Sequence, residues 1–164
     1  MLVAQEYAGV FAKGRLMGIQ KHEFYEGAAL YQLIRGAGGS SVRYTAPFFV
    51  LNDEVQVYLK YSTGKRSPWS FTFGPDEQAL LHSRAAKHRT FIGLICGADG
   101  VAALPFDDYA RITDVSDSAQ RVACFRLHRE HFEVSGPCGK LPSKVPPSNW
   151  KRLVGEIPTN RDTL

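Results

Sequence analysis

Residues 90–96 form an unbroken apolar run, TFIGLIC, directly after a segment that carries both the start and the stop signals of a helix. A strand without polar alternation has to be covered on both faces. The preceding segment opens on Gly74 and Pro75, with Pro75 suited to the first helical position and Asp76 and Glu77 to the positive end of the helix dipole. It closes on Lys87, His88 and Arg89. A helix over residues 76–88 feeding a covered central strand predicts an α/β domain with a mixed β-sheet and flanking helices.

The rest of the chain fits that frame. Residues 23–35 are rich in helix formers, with Phe24, Ala28 and Tyr31 at helical spacing and Leu30, Leu33 and Ile34 widening the apolar face; Gly36, Ala37, Gly38 and Gly39 then stop the helix. Residues 41–45, 48–51 and 55–62 read as a meander of three strands whose last turn is Asn52 and Asp53. Trp69, Phe71 and Phe73 alternate with Ser70 and Thr72, as a strand with one apolar face does. Asp107 is placed to cap a short helix through Ile112, and residues 121–129 and 131–135 read as a C-terminal antiparallel hairpin. Beyond Gly136, five prolines (137, 142, 146, 147 and 158) predict an extended basic tail over residues 136–164. The chain reads as a single domain, 1–164, with an N-terminal extension over residues 1–20 and no internal repeat.

A chain of 164 residues with 44% hydrophobic and 22% charged residues can bury roughly two-thirds of its unfolded surface and needs no staple. Cys96, Cys124 and Cys138 are odd in number and lack a C-x-x-C spacing, so they read as reduced thiols in a cytoplasmic setting. Gln5, Glu6, Lys13 and Arg15 interrupt the apolar residues near the start, which argues against a signal peptide or a membrane span. The net charge of +4 and pI near 9.0 favour an anionic partner. The charges are also segregated. Lys60, Lys65 and Arg66 lie in a stretch without acids, as do Lys140, Lys144, Lys151 and Arg152, whereas Asp99, Asp107, Asp108, Asp114 and Asp117 gather around Arg111.

The order helix, three strands, helix, central strand over residues 23–97, with Lys60 on the last strand of the meander, resembles the core of the PD-(D/E)xK nuclease superfamily. The resemblance implies a restriction-endonuclease-like α-β-β-β-α-β core. In that family two strand carboxylates hold a divalent metal, a lysine polarises the attacking water and a helix glutamate often assists. Here Lys60 matches the lysine and Glu26 stands for the helix glutamate; these are the candidate catalytic residues. The carboxylate positions are taken by Pro47 and Phe48 on one strand and by Tyr58 on the other, so the resemblance is to a degenerate member. Asp53, Glu54 and Gln56 lie at the turn end, a strand length from Lys60 at roughly 3.3 Å per residue. No metal ligands are assigned, and magnesium enters only if relocated carboxylates make the chain an active nuclease.

Ser62, Thr63, Gly64, Lys65, Arg66, Ser67, Pro68 and Trp69 place hydroxyls, a glycine, two cations and an indole in one loop. Hydroxyls and backbone N–H groups suit phosphate oxygens, Lys65 and Arg66 suit their charge, and Trp69 suits either base stacking or, in register with Phe71 and Phe73, the core. The candidate nucleic-acid contacts are therefore Lys60, Ser62, Thr63, Lys65, Arg66 and Trp69. Gly64 and Lys65 lack the glycine spacing of a P-loop, and His128 and His131 would point to opposite faces of a strand and make a poor zinc pair with Cys138. The leading expectation is a nucleic-acid-binding domain for DNA or RNA, helped by the basic tail. The alternatives are a metal-dependent nuclease and a non-enzymatic protein-interaction domain such as a homodimer.

Overall fold

The computed structural model describes residues 18–36 and 40–154. The protein has a mixed α/β fold of two sheets with flanking helices. Helix α1 (Lys21–Gly36) precedes β1 (Val42–Thr45), β2 (Phe48–Leu51) and β3 (Val55–Ser62); β4 (Trp69–Phe73) and α2 (Pro75–Ala85) lead to β5 (Arg89–Cys96), β6 (Gly100–Pro105) and α3 (Phe106–Ile112). The chain continues through β7 (Gln120–Phe125), β8 (Glu133–Gly136), β9 (Gly139–Lys140) and α4 (Ser148–Arg152). A five-stranded sheet runs β1-β2-β3-β5-β6 and a four-stranded sheet runs β4-β7-β8-β9.

The meander forms at the expected turn, where Asn52 and Asp53 take φ of 50° and 56°, values that asparagine and aspartate tolerate better than other L-residues. Its register pairs Phe49 with Val57 and Leu51 with Val55. β3 and β5 are parallel neighbours, paired from Val55 and Arg89 to Ser62 and Cys96, so the α2 segment is a crossover. Alternation along β3, β5 and β6 sends side chains to two cores. Val57, Leu59, Ile95 and Val101 pack with Ala29 and Leu33 of α1 and Trp150 of α4. Ile92, Leu94, Cys96 and Leu104 instead meet Trp69, Phe71 and Phe73 of β4, Val122 of β7, Val134 of β8 and Tyr109 of α3. β5 is thus covered on both faces, as its apolar run requires.

Three expectations need correction. The segment after Gly136 is not an extended tail within the described residues: Leu141, Val145, Trp150, Leu153 and Val154 are buried, and Trp150 Nε1–H donates to the Ala29 carbonyl at 2.8 Å. Burying these apolar side chains outweighs the extended bias of the prolines between them; residues 155–164 lie outside the described range, as do residues 1–17 of the N-terminal extension expected over 1–20 and residues 37–39. The C-terminal hairpin is shorter than its residue pattern suggested, with β7 ending at Phe125 and β8 starting at Glu133, because Arg129 at φ 61° turns the chain out of the sheet. Finally, α3 starts at Phe106 after Pro105, with Asp107 inside its first turn and not at the cap. Among the described residues no helix is long and apolar enough to cross a membrane.

Candidate nucleic-acid interface

β3 alternates, so Tyr58 and Lys60 share the face turned toward β4 and α2. Glu77, in the first turn of α2, reaches back to them. Its Oε2 lies 2.7 Å from Lys60 Nζ and accepts the Tyr58 hydroxyl at 2.5 Å, while Oε1 lies 3.0 Å from the same ammonium. Lys60 also donates to the Thr72 carbonyl and lies 4.6 Å from the centre of the Phe73 ring. Burial alone would raise the Glu77 carboxyl, but the hydrogen bonds from Lys60 and Tyr58 outweigh it and hold the group below its ordinary value. Burial and the bond to Glu77 push the Tyr58 phenol far above its usual range, so it remains a donor.

This arrangement decides what Lys60 can offer. Its ammonium is neutralised and ties β3, β4 and α2 together, and so it is not a spare cation for phosphate. Phe48 packs against Tyr58 with ring centres 5.5 Å apart, so the two positions where the nuclease resemblance would need carboxylates form an aromatic pair. Glu26 is half-buried on α1; burial raises its carboxyl, His22 opposes this and Glu23 adds to it. Among the described residues, no cluster of three or more His, Cys, Asp and Glu side chains is arranged to hold a metal ion. Both Glu77 oxygens are taken by Lys60 and Tyr58, so this donor set does not fit a magnesium ion without displacing the lysine.

The loop after β3 is pinned at several points. Gly97 N–H donates to the Ser62 carbonyl at 2.8 Å, Trp69 Nε1–H to the Gly64 carbonyl at 2.7 Å, and the Ser67 hydroxyl to the Arg126 carbonyl at 2.9 Å. Trp69 is only 3% exposed, and its ring meets Phe132 edge-on. The core reading of the indole therefore holds in place of base stacking, because β4 alternation turns residue 69 inward with Phe71 and Phe73. The Gly97 backbone has φ +54°, and a Cβ there would come within 2.4 Å of the Gly64 carbonyl oxygen. Gly97→Ala is expected to cost about 2 kcal/mol and to displace the 63–68 loop, read as a lower melting temperature.

Held this way, the loop forms one wall of a cleft of about 560 Å³ whose other wall is the connection between β7 and β8. Lys65, Arg66 and Ser67 face Arg126, Leu127, His128 and Arg129 across it, with Asp99 at the side. Asp99 is already engaged by Arg126 at 2.8 Å. Arg126 also donates to the Glu130 carbonyl at 2.6 Å and lies over the Phe132 ring, so it frames the cleft. Lys65, Arg66 and Arg129 are exposed and form no ion pair among the described residues.

Of the residues singled out from sequence, Lys65, Arg66 and Trp69 border this cleft, while Lys60, Ser62, Thr63 and Glu26 do not line it. Among the described residues the basic tail does not line it either: Lys140 pairs with Glu133 and Lys144 with Glu130. Arg126, His128 and Arg129 were missed because they lie in a segment whose composition reads as strand. The adjacency of Arg126, His128 and Arg129 to the Lys65 loop appears only when β7 pairs with β4, bringing Cys124 beside Trp69. Comparison with protein-family models, characterised proteins and solved structures finds no match to this chain. The cleft must therefore be interpreted from its own chemistry.

Proposed function

We propose that the protein binds nucleic acid, holding a phosphodiester backbone in the cleft between the 63–68 loop and the β7–β8 connection. The observation that carries this reading is the convergence of Lys65, Arg66 and Arg129, exposed and without ion-pair partners among the described residues, on one concave surface. A polyanion gains from three adjacent cations, while a neutral ligand does not. The Ser67 hydroxyl and Arg126 guanidinium are committed to the protein, which suits positioning the walls more than reading bases. In this reading the fold is a degenerate PD-(D/E)xK core, supported by the parallel β3–β5 pair around the α2 crossover and by Phe48 and Tyr58 at the carboxylate positions.

The test is binding to fluorescent DNA and RNA of mixed sequence across a salt series. Each phosphate contact contributes about 0.9 to the slope of log affinity on log salt for duplex DNA, and about 0.7 for single strands. Lys65→Ala combined with Arg66→Ala and Arg129→Ala is expected to weaken binding for all sequences and to lower the slope by about two to three. These side chains are exposed, so the melting temperature should hardly change. Binding that is undetectable at low salt, or a slope unchanged in the triple variant, rejects the cleft.

One observation favours the nuclease alternative: Glu77 is a relocated carboxylate in contact with Lys60. Under that reading magnesium would have to separate the pair. Magnesium-dependent cleavage by the full chain that disappears in Lys60→Met would replace binding with catalysis as the conclusion.

A further inference from the structure

α1 has apolar side chains on opposite faces. Its inner face is occupied: Ala29 and Leu33 are buried, Trp150 bonds the Ala29 carbonyl, and Tyr25 stacks on Tyr61 of β3 with ring centres 5.1 Å apart. On the outer face Phe24, Ala28 and Tyr31 recur at i, i+4 and i+7, with Gly27 and Ile34 beside them. Phe24 is 61%, Tyr31 63% and Ile34 46% exposed. A helix that is apolar on both sides is one that packs on both sides, and the described residues cover only one.

We propose that the outer face of α1 is the interface of a homodimer, in which α1 of one protomer packs antiparallel on α1 of its partner. A two-fold interface must be self-complementary, and this stripe has that property. Phe24, Gly27, Ala28 and Tyr31 read aromatic, small, small, aromatic in either direction. With the axis between residues 27 and 28, Phe24 meets the partner's Tyr31, and Gly27 meets the partner's Ala28, allowing the helices to approach to roughly 8 Å. Among the described residues nothing lies within 4 Å of a Cβ built at Gly27, so no contact with them demands a small residue there. Charge agrees with the direction. Arg35 forms no ion pair among the described residues, and in this register it lies opposite the partner's Gln20, within one helical turn of the partner's Glu23, which accepts from the Gln20 N–H.

The area also suffices. Taking ~200 Å² per aromatic side chain, the exposed parts of Phe24 and Tyr31 together offer about 250 Å² of apolar surface, and Ile34, Ala28 and the nearby Ile19, 65% exposed, bring this to the order of 450 Å². A standard interface buries about 800 Å² per partner, of which somewhat over half is apolar. The stripe also borders a groove of about 220 Å³ lined by Tyr25, Ala28, Gln32, Gly97 and Ala98, which extends the contact toward the β5–β6 turn. The basic cleft is not part of this surface, so the dimer stands or falls independently of nucleic-acid binding.

Sedimentation of the full chain over a concentration series tests the proposal. The wild type is expected to sediment as a dimer, and Phe24→Ser with Tyr31→Ser to weaken self-association by about a hundredfold. In a Cys138→Ser background, Ala28→Cys is expected to give a disulfide-linked dimer on mild oxidation, because the two substituted positions lie beside the axis. A chain that is monomeric at every concentration overturns the proposal, as does a dimer that both serine substitutions leave unchanged. A monomeric full chain whose melting temperature falls on Phe24→Ser also overturns it, and assigns the face to the chain's own residues 1–17.

Discussion

Trp69→Ala is expected to destabilise the protein by about 4 kcal/mol, within the range for removing a buried tryptophan. For a chain of this size that corresponds to a fall in melting temperature of roughly 10 °C. The indole is 3% exposed in the core that joins the two sheets, so its removal leaves a cavity that neighbouring rings cannot fill without moving. The substitution also frees the Gly64 carbonyl, which loses its bond from the indole N–H, and so loosens the cleft wall that carries Lys65 and Arg66. Nucleic-acid affinity should therefore fall together with stability. Trp69→Phe keeps most of the volume and loses the donor; it should recover most of the melting temperature. A Trp69→Ala variant that melts like the wild type but binds single strands weakly would mean that the indole stacks on bases.

Glu77→Ala is expected to be the second most costly change, at about 3 kcal/mol near neutral pH. It leaves the Tyr58 hydroxyl and the Gly74 N–H without their acceptor and the Lys60 ammonium without its counter-charge, with the Thr72 carbonyl as its remaining acceptor. Breaking a fully buried pair costs about 3–5 kcal/mol, and the lower end applies because the Glu77 side chain is 33% exposed and partly screened. The effect depends on pH. Folded Glu77 titrates below its ordinary value of 4.5, so it binds its proton more weakly folded than unfolded. Its stabilisation is complete above about 4.5 and is lost as pH falls through the lower folded value. Urea titrations at a series of pH values should show the gap between wild type and variant closing over that acidic range. A gap that is constant down to pH 2 would mean that the carboxylate charge contributes nothing.

The regular elements were legible where one period dominated. Residues 90–96 have no polar alternation and became the doubly covered β5, and the Pro75, Asp76 and Glu77 sequence started α2 as its capping chemistry requires. The turn at Asn52 and Asp53 placed Phe48 beside Tyr58, so the aromatic pair at the two carboxylate positions could be read from register alone. Lys65 and Arg66 were legible as cations without a neighbouring acid.

The second sheet, the Glu77 contact and the far wall of the cleft were decided by tertiary structure. Alternation in β4 tells that one face is buried but not against what, and it is pairing with β7 that separates β4 from the β1–β6 sheet. Glu77 lies 17 residues from Lys60, and a carboxylate in the first turn of a helix is explained locally by the helix dipole, so nothing in the sequence signals its longer reach. Among the prolines of the C-terminal segment, Leu141, Val145 and Trp150 follow no helical or strand period; Leu141 and Val145 find their place in the core between the two sheets, and Trp150 in the core beneath α1. Local sequence determined the periodicity, the turns and the charge of each segment because those are set by neighbours along the chain. Which charges meet and which stay free was set by the packing of two sheets, a sum over distant contacts that no single segment contains.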